Sequence, residues 1–170
     1  FNNFLLKQVK LNRNSKILDI GCGRGKILGS LSSRLKLKSK PIGIDIERYR
    51  DRDKRIHFKK VNAIDFIKIN KKKFDLIMIK QTIHLLKYKE IKKLIYACKM
   101  QLNQNGKILI LSLETSNNEI PTFLLMKKKL KKSLDRDNKI IKYISKLYPK
   151  NRNTRFSFKV KISRDKYIEM

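Results

Sequence analysis

Ile17-Leu18-Asp19-Ile20-Gly21-Cys22-Gly23-Arg24-Gly25 is a short apolar run that ends in three glycines spaced by single residues. The apolar part reads as a strand, and the glycines let the backbone turn tightly and approach a ligand that side chains would keep away. Lys26 to Leu35 follows with Ile27, Leu28, Leu31 and Leu35 at helical spacing. Working outward, the pattern alternates. Pro41 to Asp45 is a second strand, Ile56 to Val61 a third, and Phe74 to Ile79 a fourth, nearly continuous in apolar residues as a strand buried on both faces should be. Phe4 to Leu11 reads as a short amphipathic helix. Leu85 to Leu102 has helical period and is stopped by Asn105-Gly106, and Lys107 to Leu113 is a fifth strand. Ile120 to Tyr148 is helical, with Phe123, Met126, Leu130, Leu134, Ile141, Ile144 and Tyr148 on one face and a break expected at Asp135 to Asn138. Phe156 to Ile162 alternates as a half-exposed sixth strand, and Ser163 reads as the cap of a further helix. Alternating strands and helices call for an α/β fold, a doubly wound, mostly parallel sheet with helices on both faces.

In such a sheet the ligand crevice lies beyond the carboxyl ends of the strands, where the strand order reverses. Gly21, Gly23 and Gly25 stand at the end of the first strand, and Asp45, 24 residues beyond Gly21, closes the second. An acid there hydrogen-bonds the hydroxyls of an adenosine ribose. A phosphate-cradling loop needs Gly-x4-Gly-Lys-Ser/Thr, but Ile20 stands where its first glycine belongs and Ile27 follows Lys26. A dinucleotide fingerprint needs glycine where Lys26 stands. What remains is G-x-G-x-G with Asp19 two residues before the first glycine.

That stretch resembles the first motif of class I S-adenosylmethionine-dependent methyltransferases, in which the loop wraps the methionine and ribose of the cofactor. The resemblance implies a Rossmann-like fold, S-adenosylmethionine as cofactor, and the acid at Asp19 on the cofactor's amino group. Gly43-Ile44-Asp45-Ile46 resembles the second motif, with Asp45 on the ribose hydroxyls and Ile46 against adenine. Val61-Asn62-Ala63 falls where the family has Gly-Asp-Ala; the Asn62 amide oxygen can accept the adenine amino hydrogen bond in place of the acid. Phe74 to Ile77 resembles the fourth-strand motif, and Leu102 to Ile110 the Leu-Lys-Pro-Gly-Gly stretch, with Gln104 and Asn105 replacing the proline and first glycine. The implied cofactor contacts are Asp19, Gly21, Cys22, Gly23, Gly25, Asp45, Ile46, Asn62 and Ala63, with Lys80 and Gln81 at the end of the fourth strand; no metal is implied. Cys22 fills a tight turn, with nothing near it in sequence to make it a nucleophile, and Asp75, at a strand's start, is expected to be structural.

The 170 residues form one expected domain: a cofactor-binding core over about 14–115, a substrate-shaping helical segment over 115–150, and an incomplete part at 151–170. The family fold ends in two further strands, and one of them is expected to be missing here, leaving a sheet edge exposed. The chain opens on Phe1, which adds to the expectation of a fragment. Lys plus Arg number 44 against 14 acids, a net charge of +30. Such a charge suits a nucleic-acid partner. The composition also offers a plainer cause: 33 Lys, 23 Ile and 13 Asn are the residues an AT-rich genome over-uses. Two cysteines make neither a disulfide framework nor a four-ligand zinc site, and the longest apolar stretches are too short to span a bilayer. A cytoplasmic setting is the expectation.

Displacement at a sulfonium methyl needs alignment more than dedicated catalysts. Acceptor signatures nevertheless narrow the choice. Lys80-Gln81-Thr82-Ile83 stands where amino-methyltransferases of DNA and RNA carry Asn/Asp-Pro-Pro-Tyr; neither cysteine fits a cytosine C5 enzyme; and no acid ends the fourth strand, as a Lys-Asp-Lys-Glu ribose methyltransferase requires. Thr82-Ile83-His84-Leu85-Leu86 resembles the hydrophobic-His-His stretch of the small-molecule group, which makes His84 the candidate general base. Methyl transfer to a small or medium-sized acceptor is the first expectation, an RNA or ribosome-directed methyltransferase or a non-catalytic cofactor-binding domain the alternative.

Overall fold

The computed structural model describes residues 2–112, 124–149 and 154. Five strands, β1 (Ile17–Ile20), β2 (Ile42–Asp45), β3 (His57–Lys60), β4 (Phe74–Lys80) and β5 (Leu102–Leu111), form one parallel sheet in the order β3-β2-β1-β4-β5 among the described residues. The helices are α1 (Asn2–Gln8), α2 (Lys26–Leu35), α3 (Ala63–Ile69), α4 (Tyr88–Met100) and α5 (Leu124–Leu147), with a single 3-10 turn at Ile83–Leu85.

The period of two along the strands sends side chains to two cores. Leu18, Ile20, Ile77 and Ile79 face Phe66 and Ile67 of α3, Ile91, Leu94 and Ile95 of α4, and Ile140 and Ile144 of α5. Ile17, Leu76 and Met78 face Leu5 of α1 and Leu28 and Leu31 of α2. Strands buried on both sides explain the continuous apolar run of β4. Asp19 shares the α1/α2 face with Ile17, because it lies two residues on.

The chain winds from β1 outward to β2 and β3, then returns to the other side of β1 as β4 and β5. The reversal between β1 and β4 places a crevice at their carboxyl ends. At the opposite ends, Asp75 clamps three strand starts: Oδ2 accepts the Lys16 N–H at 2.6 Å and Oδ1 accepts from Asn103 Nδ2 at 2.6 Å. Its role is therefore structural.

The structure corrects several expectations. The helix expected from Leu85 to Leu102 is a 3-10 turn followed by α4, which begins after Lys87, whose N–H the Glu90 carboxylate accepts at 2.7 Å. Asn105-Gly106 does not end that helix. It lies within β5, which starts at Leu102 and shifts register so that Phe74 faces Leu102 while Leu76 faces Lys107. Glycine is required at 106 because a Cβ would stand 2.6 Å from the Phe74 carbonyl oxygen. No break occurs at Asp135 to Asn138; α5 is continuous, and among its described side chains Ile140 and Ile144 are buried, whereas Ile141 is not. α3, absent from the sequence expectation, starts at an Asn62 cap. The segment from Glu114 to Phe123, the strand at Phe156 to Ile162 and the cap at Ser163 lie outside the described residues. No helix among the described residues is long and apolar enough to cross a membrane.

Candidate active site

The glycine turn is built by backbone geometry. Gly21, Gly23 and Gly25 have φ of +72°, +53° and +69°, the left-handed region that glycine enters without steric cost. The turn is tied to the end of β2, where Gly21 and Cys22 both donate to the Ile44 carbonyl, at 2.9 and 3.0 Å. Gly21 also lets Thr82 pack directly on the turn; a Cβ there would lie 1.9 Å from Thr82 Oγ1. Gly23 is different. A Cβ built on it meets nothing within 4 Å, so the turn opens into free space there.

Asp45 holds the other wall. Its Oδ2 accepts the Gly23 N–H at 2.8 Å and its Oδ1 the Glu47 N–H at 3.0 Å. A carboxylate has about four lone-pair positions, so these two bonds leave capacity for further donors. Ile46 beside it is 56% exposed. Asn62 is exposed, and its Oδ1 accepts the Ile64 N–H at 2.8 Å, capping α3, whose first residue is the half-buried Ala63. The amide oxygen assigned to a ligand by the sequence is thus already used once, with a second lone pair and the Nδ2 donors remaining.

Beneath the turn lies Asp19, only 1% exposed, whose Oδ1 has no hydrogen-bond partner among the described residues. Burial pushes its carboxyl up to about 7; the positive charge of Lys80 opposes the shift and the negative charge of Asp45 adds to it. A buried carboxylate without a donor is costly, and it invites a cationic hydrogen-bond donor. Lys80 ends β4, and Gln81 turns the chain away with φ of +54°, its N–H donated to the Leu111 carbonyl at 3.0 Å. Thr82 Oγ1 donates to the Lys80 carbonyl at 2.9 Å. His84 follows, half-buried within the 3-10 turn. The site residues of β1, β2 and β4 therefore gather at one edge of the sheet.

Cys22 is buried, with its Sγ packed where a Cβ on Gly43 would lie. Burial above all, with the charges of Asp19 and Asp45, pushes its thiol up to about 12, so it is no nucleophile at neutral pH. Among the described residues no group of three or more His, Cys, Asp or Glu could hold a metal ion.

The loop between β2 and β3 supplies what the sequence reading passed over. Asp53, buried at 8% exposure, donates its N–H to the Arg24 carbonyl at 2.9 Å and pairs with Arg55 at 2.5 Å, which holds its carboxyl down at about 2. Arg24 of the turn pairs with Asp51 at 2.9 Å. The Arg/Asp alternation from Arg50 to Arg55 was the visible signal.

Fold and site together define a class I, S-adenosylmethionine-dependent type of methyltransferase domain. The sequence family described as "Methyltransferase domain" matches residues 11–157, and the chain belongs to that family. Solved structures share its fold. A SAM-dependent methyltransferase from Archaeoglobus fulgidus aligns with a TM-score of 0.56 at 21% identity, over 78% of this chain and 66% of that one. An O-methyltransferase family protein from Burkholderia thailandensis aligns at 0.54 and 18%, over 78% and 44%. PKMT2 from Rickettsia typhi, solved in complex with AdoHcy, aligns at 0.51 and 22%, over 60% and 22%. The chain thus spans between about a fifth and two thirds of the length of these structures. No curated protein sequence matches it.

Proposed function

We propose that this domain binds S-adenosylmethionine across the carboxyl ends of β1 and β2 and transfers its methyl group to a small or medium-sized acceptor. The observation that carries the reading is Asp19: a buried carboxylate with an orphaned oxygen beneath a glycine turn. The ammonium of the cofactor's methionine part is the kind of donor that satisfies it. The remaining lone pairs of Asp45 suit the two ribose hydroxyls, exposed Ile46 offers an apolar face to adenine, and the open side of Gly23 gives the backbone close approach. Gly21, Cys22 and Gly25 shape the loop, Asn62 and Ala63 flank the adenine end, and Lys80 and Gln81 close the β4 side. When bound, the cofactor supplies a sulfonium methyl already activated for displacement.

The chain's own work is then to orient and exclude water, which in well-organised cases is worth about 7–11 kcal/mol. His84, at the start of the connection after β4, is the proposed base, taking the acceptor's proton on an imidazole nitrogen. The side chains after β4 support the small acceptor, since they carry none of the nucleic-acid amino-methyltransferase signature. An RNA acceptor is the second reading, favoured by the arginines of the β2–β3 loop.

Thermal unfolding with and without S-adenosylhomocysteine tests the reading. At 100 times the dissociation constant the ligand should add about 2.7 kcal/mol, a rise of roughly 5–10 °C in a domain of this size. Asp45→Ala and Asp19→Asn should each abolish the rise. A folded wild-type sample with no rise would overturn the proposal.

A further inference from the structure

The β2–β3 loop departs from the composition of its own chain. Lysine outnumbers arginine 33 to 11 over the whole sequence, yet residues 48–55 hold four arginines and one lysine. This local excess of arginine runs against the lysine bias of the rest of the chain, and the planar arginine fork suits bidentate contact with phosphate.

The loop is also firmly built. The Asp53 carboxylate, held by Arg55, rests against Gly29 of α2, where a Cβ would stand 2.2 Å from its Cγ. Arg24 lies over the Tyr49 ring at 5.2 Å and Arg52 over the Phe58 ring at 4.6 Å. Asp51 and Asp53 are neutralised by Arg24 and Arg55. That leaves Arg48 and Arg50 exposed, with no hydrogen bond or ion pair among the described residues. A shallow cleft of about 340 Å³ opens beside Arg50, Arg52, Lys54 and Phe58. The exposed Lys59 and Lys60 of the edge strand β3 extend the positive surface.

We propose that this loop and strand β3 form a binding surface for single-stranded nucleic acid. Arg48, Arg50 and Lys54 take phosphates, and the guanidinium groups of Arg24 and Arg52, each placed over an aromatic ring, are the groups on which bases stack. An acidic polypeptide would make no use of the stacked platforms. An anionic bilayer would want apolar insertion, and among the described residues of this loop only Ile46 is an exposed large apolar side chain. Strands lie about 4.8 Å apart, so three strand spacings, roughly 14 Å, separate β3 from the His84 side of β4. One nucleotide cannot touch both, so the occupant is an oligomer. The inference deepens the RNA-directed form of the proposed function, while its binding step needs neither cofactor nor turnover.

The test is fluorescence anisotropy of the full chain with labelled oligouridine and oligodeoxythymidine about 12 nucleotides long. Arg48→Ala/Arg50→Ala should weaken binding about tenfold or more near 0.15 M salt, and flatten the slope of log affinity against log salt by about 1.4, some 0.7 per phosphate lost. Lys71→Ala/Lys72→Ala, which removes equal charge at the amino end of β4, should cost less than about twofold. Equal losses in the two variants would overturn the proposal, leaving net charge as the whole cause. Competition by polyglutamate or phosphatidylserine vesicles as effective as that by unlabelled oligonucleotide would overturn it too. An S-adenosylhomocysteine thermal rise retained in Arg48→Ala/Arg50→Ala shows that the fold and the cofactor crevice survive the substitutions, so that a loss of oligonucleotide affinity belongs to the loop. A rise missing from every form, wild type included, sinks methyl transfer and leaves the nucleic-acid result standing.

Discussion

Asp19 and the three glycines are single positions at the proposed cofactor site whose substitution should move stability and binding separately. The folded chain holds the Asp19 carboxyl near 7 against an ordinary 3.8. The folded state therefore binds the extra proton between those values, and stability falls as pH rises from about 4 to about 7 and stays lowered above. Asparagine carries no ionisation penalty. Asp19→Asn should be more stable than wild type at pH 8 by on the order of a few kcal/mol, and so unfold at a higher temperature, with the gap narrowing toward pH 4. A thermal scan across that range checks it, and a gap that widens in acid would refute the assignment. Gly21 and Gly23 make a sharper pair. Both have positive φ, and alanine there costs about 1–2 kcal/mol for the conformation alone. Gly21→Ala also drives a Cβ to within 1.9 Å of Thr82 Oγ1, so urea unfolding should show the larger loss there. Gly23→Ala should stay folded with only that conformational cost, and lose S-adenosylhomocysteine affinity by calorimetry as well.

Helices and strands are joined here by polar groups that periodicity does not reveal. Gln101, buried between α4 and β5, donates through Nε2 to the carbonyls of Ile67 at 2.6 Å and Asn70 at 3.1 Å, and accepts from Asn70 Nδ2 at 2.8 Å. One side chain thereby ties the end of α3 to the start of β5. Gln101→Leu should cost about 2–3 kcal/mol, because several buried polar atoms lose partners at once. The urea midpoint should fall with an unchanged slope. The same locality explains which elements could be read in advance. α2 and the apolar runs of β1, β2 and β4 follow from spacing, because both faces of those strands are buried. β5 begins five residues before the start that its apolar pattern predicts, because Leu102 to Gly106 has the local chemistry of a turn. The Asp75–Asn103 bond and the pairing with Phe74, more than twenty residues distant, hold it in the sheet. The candidate site follows the same rule: the glycine turn and the acid closing β2 are written in spacing, and the Arg/Asp alternation is visible too, but the bracing of Asp53 against Gly29 of α2 is not.

A net charge of +30 on one domain repels itself in the compact state more than in the expanded one. Screening weakens that repulsion, with a Debye length of about 10 Å at 0.1 M salt and about 30 Å at 0.01 M. Unfolding temperature should therefore rise with sodium chloride between these concentrations. A fall would mean that the described ion pairs, such as Arg24–Asp51 and Arg55–Asp53, outweigh the repulsion. The same field draws any polyanion at low salt, which is why the nucleic-acid test compares two variants of equal charge.

The sequence by itself determined the layered α/β architecture, the glycine turn at the end of β1 and the acid at the end of β2. Each is written in contiguous residues, as a hydrophobic period or as a spacing set by one strand-turn-helix unit. Only the tertiary structure decided that Asp19 lies buried with an orphaned oxygen, that Thr82 presses on Gly21, and that arginines 48 to 55 stand on a braced loop beside the cleft. Burial, electrostatic environment and bracing are properties of neighbours far apart in the chain, and they take their values only when the strands that carry those neighbours are brought side by side.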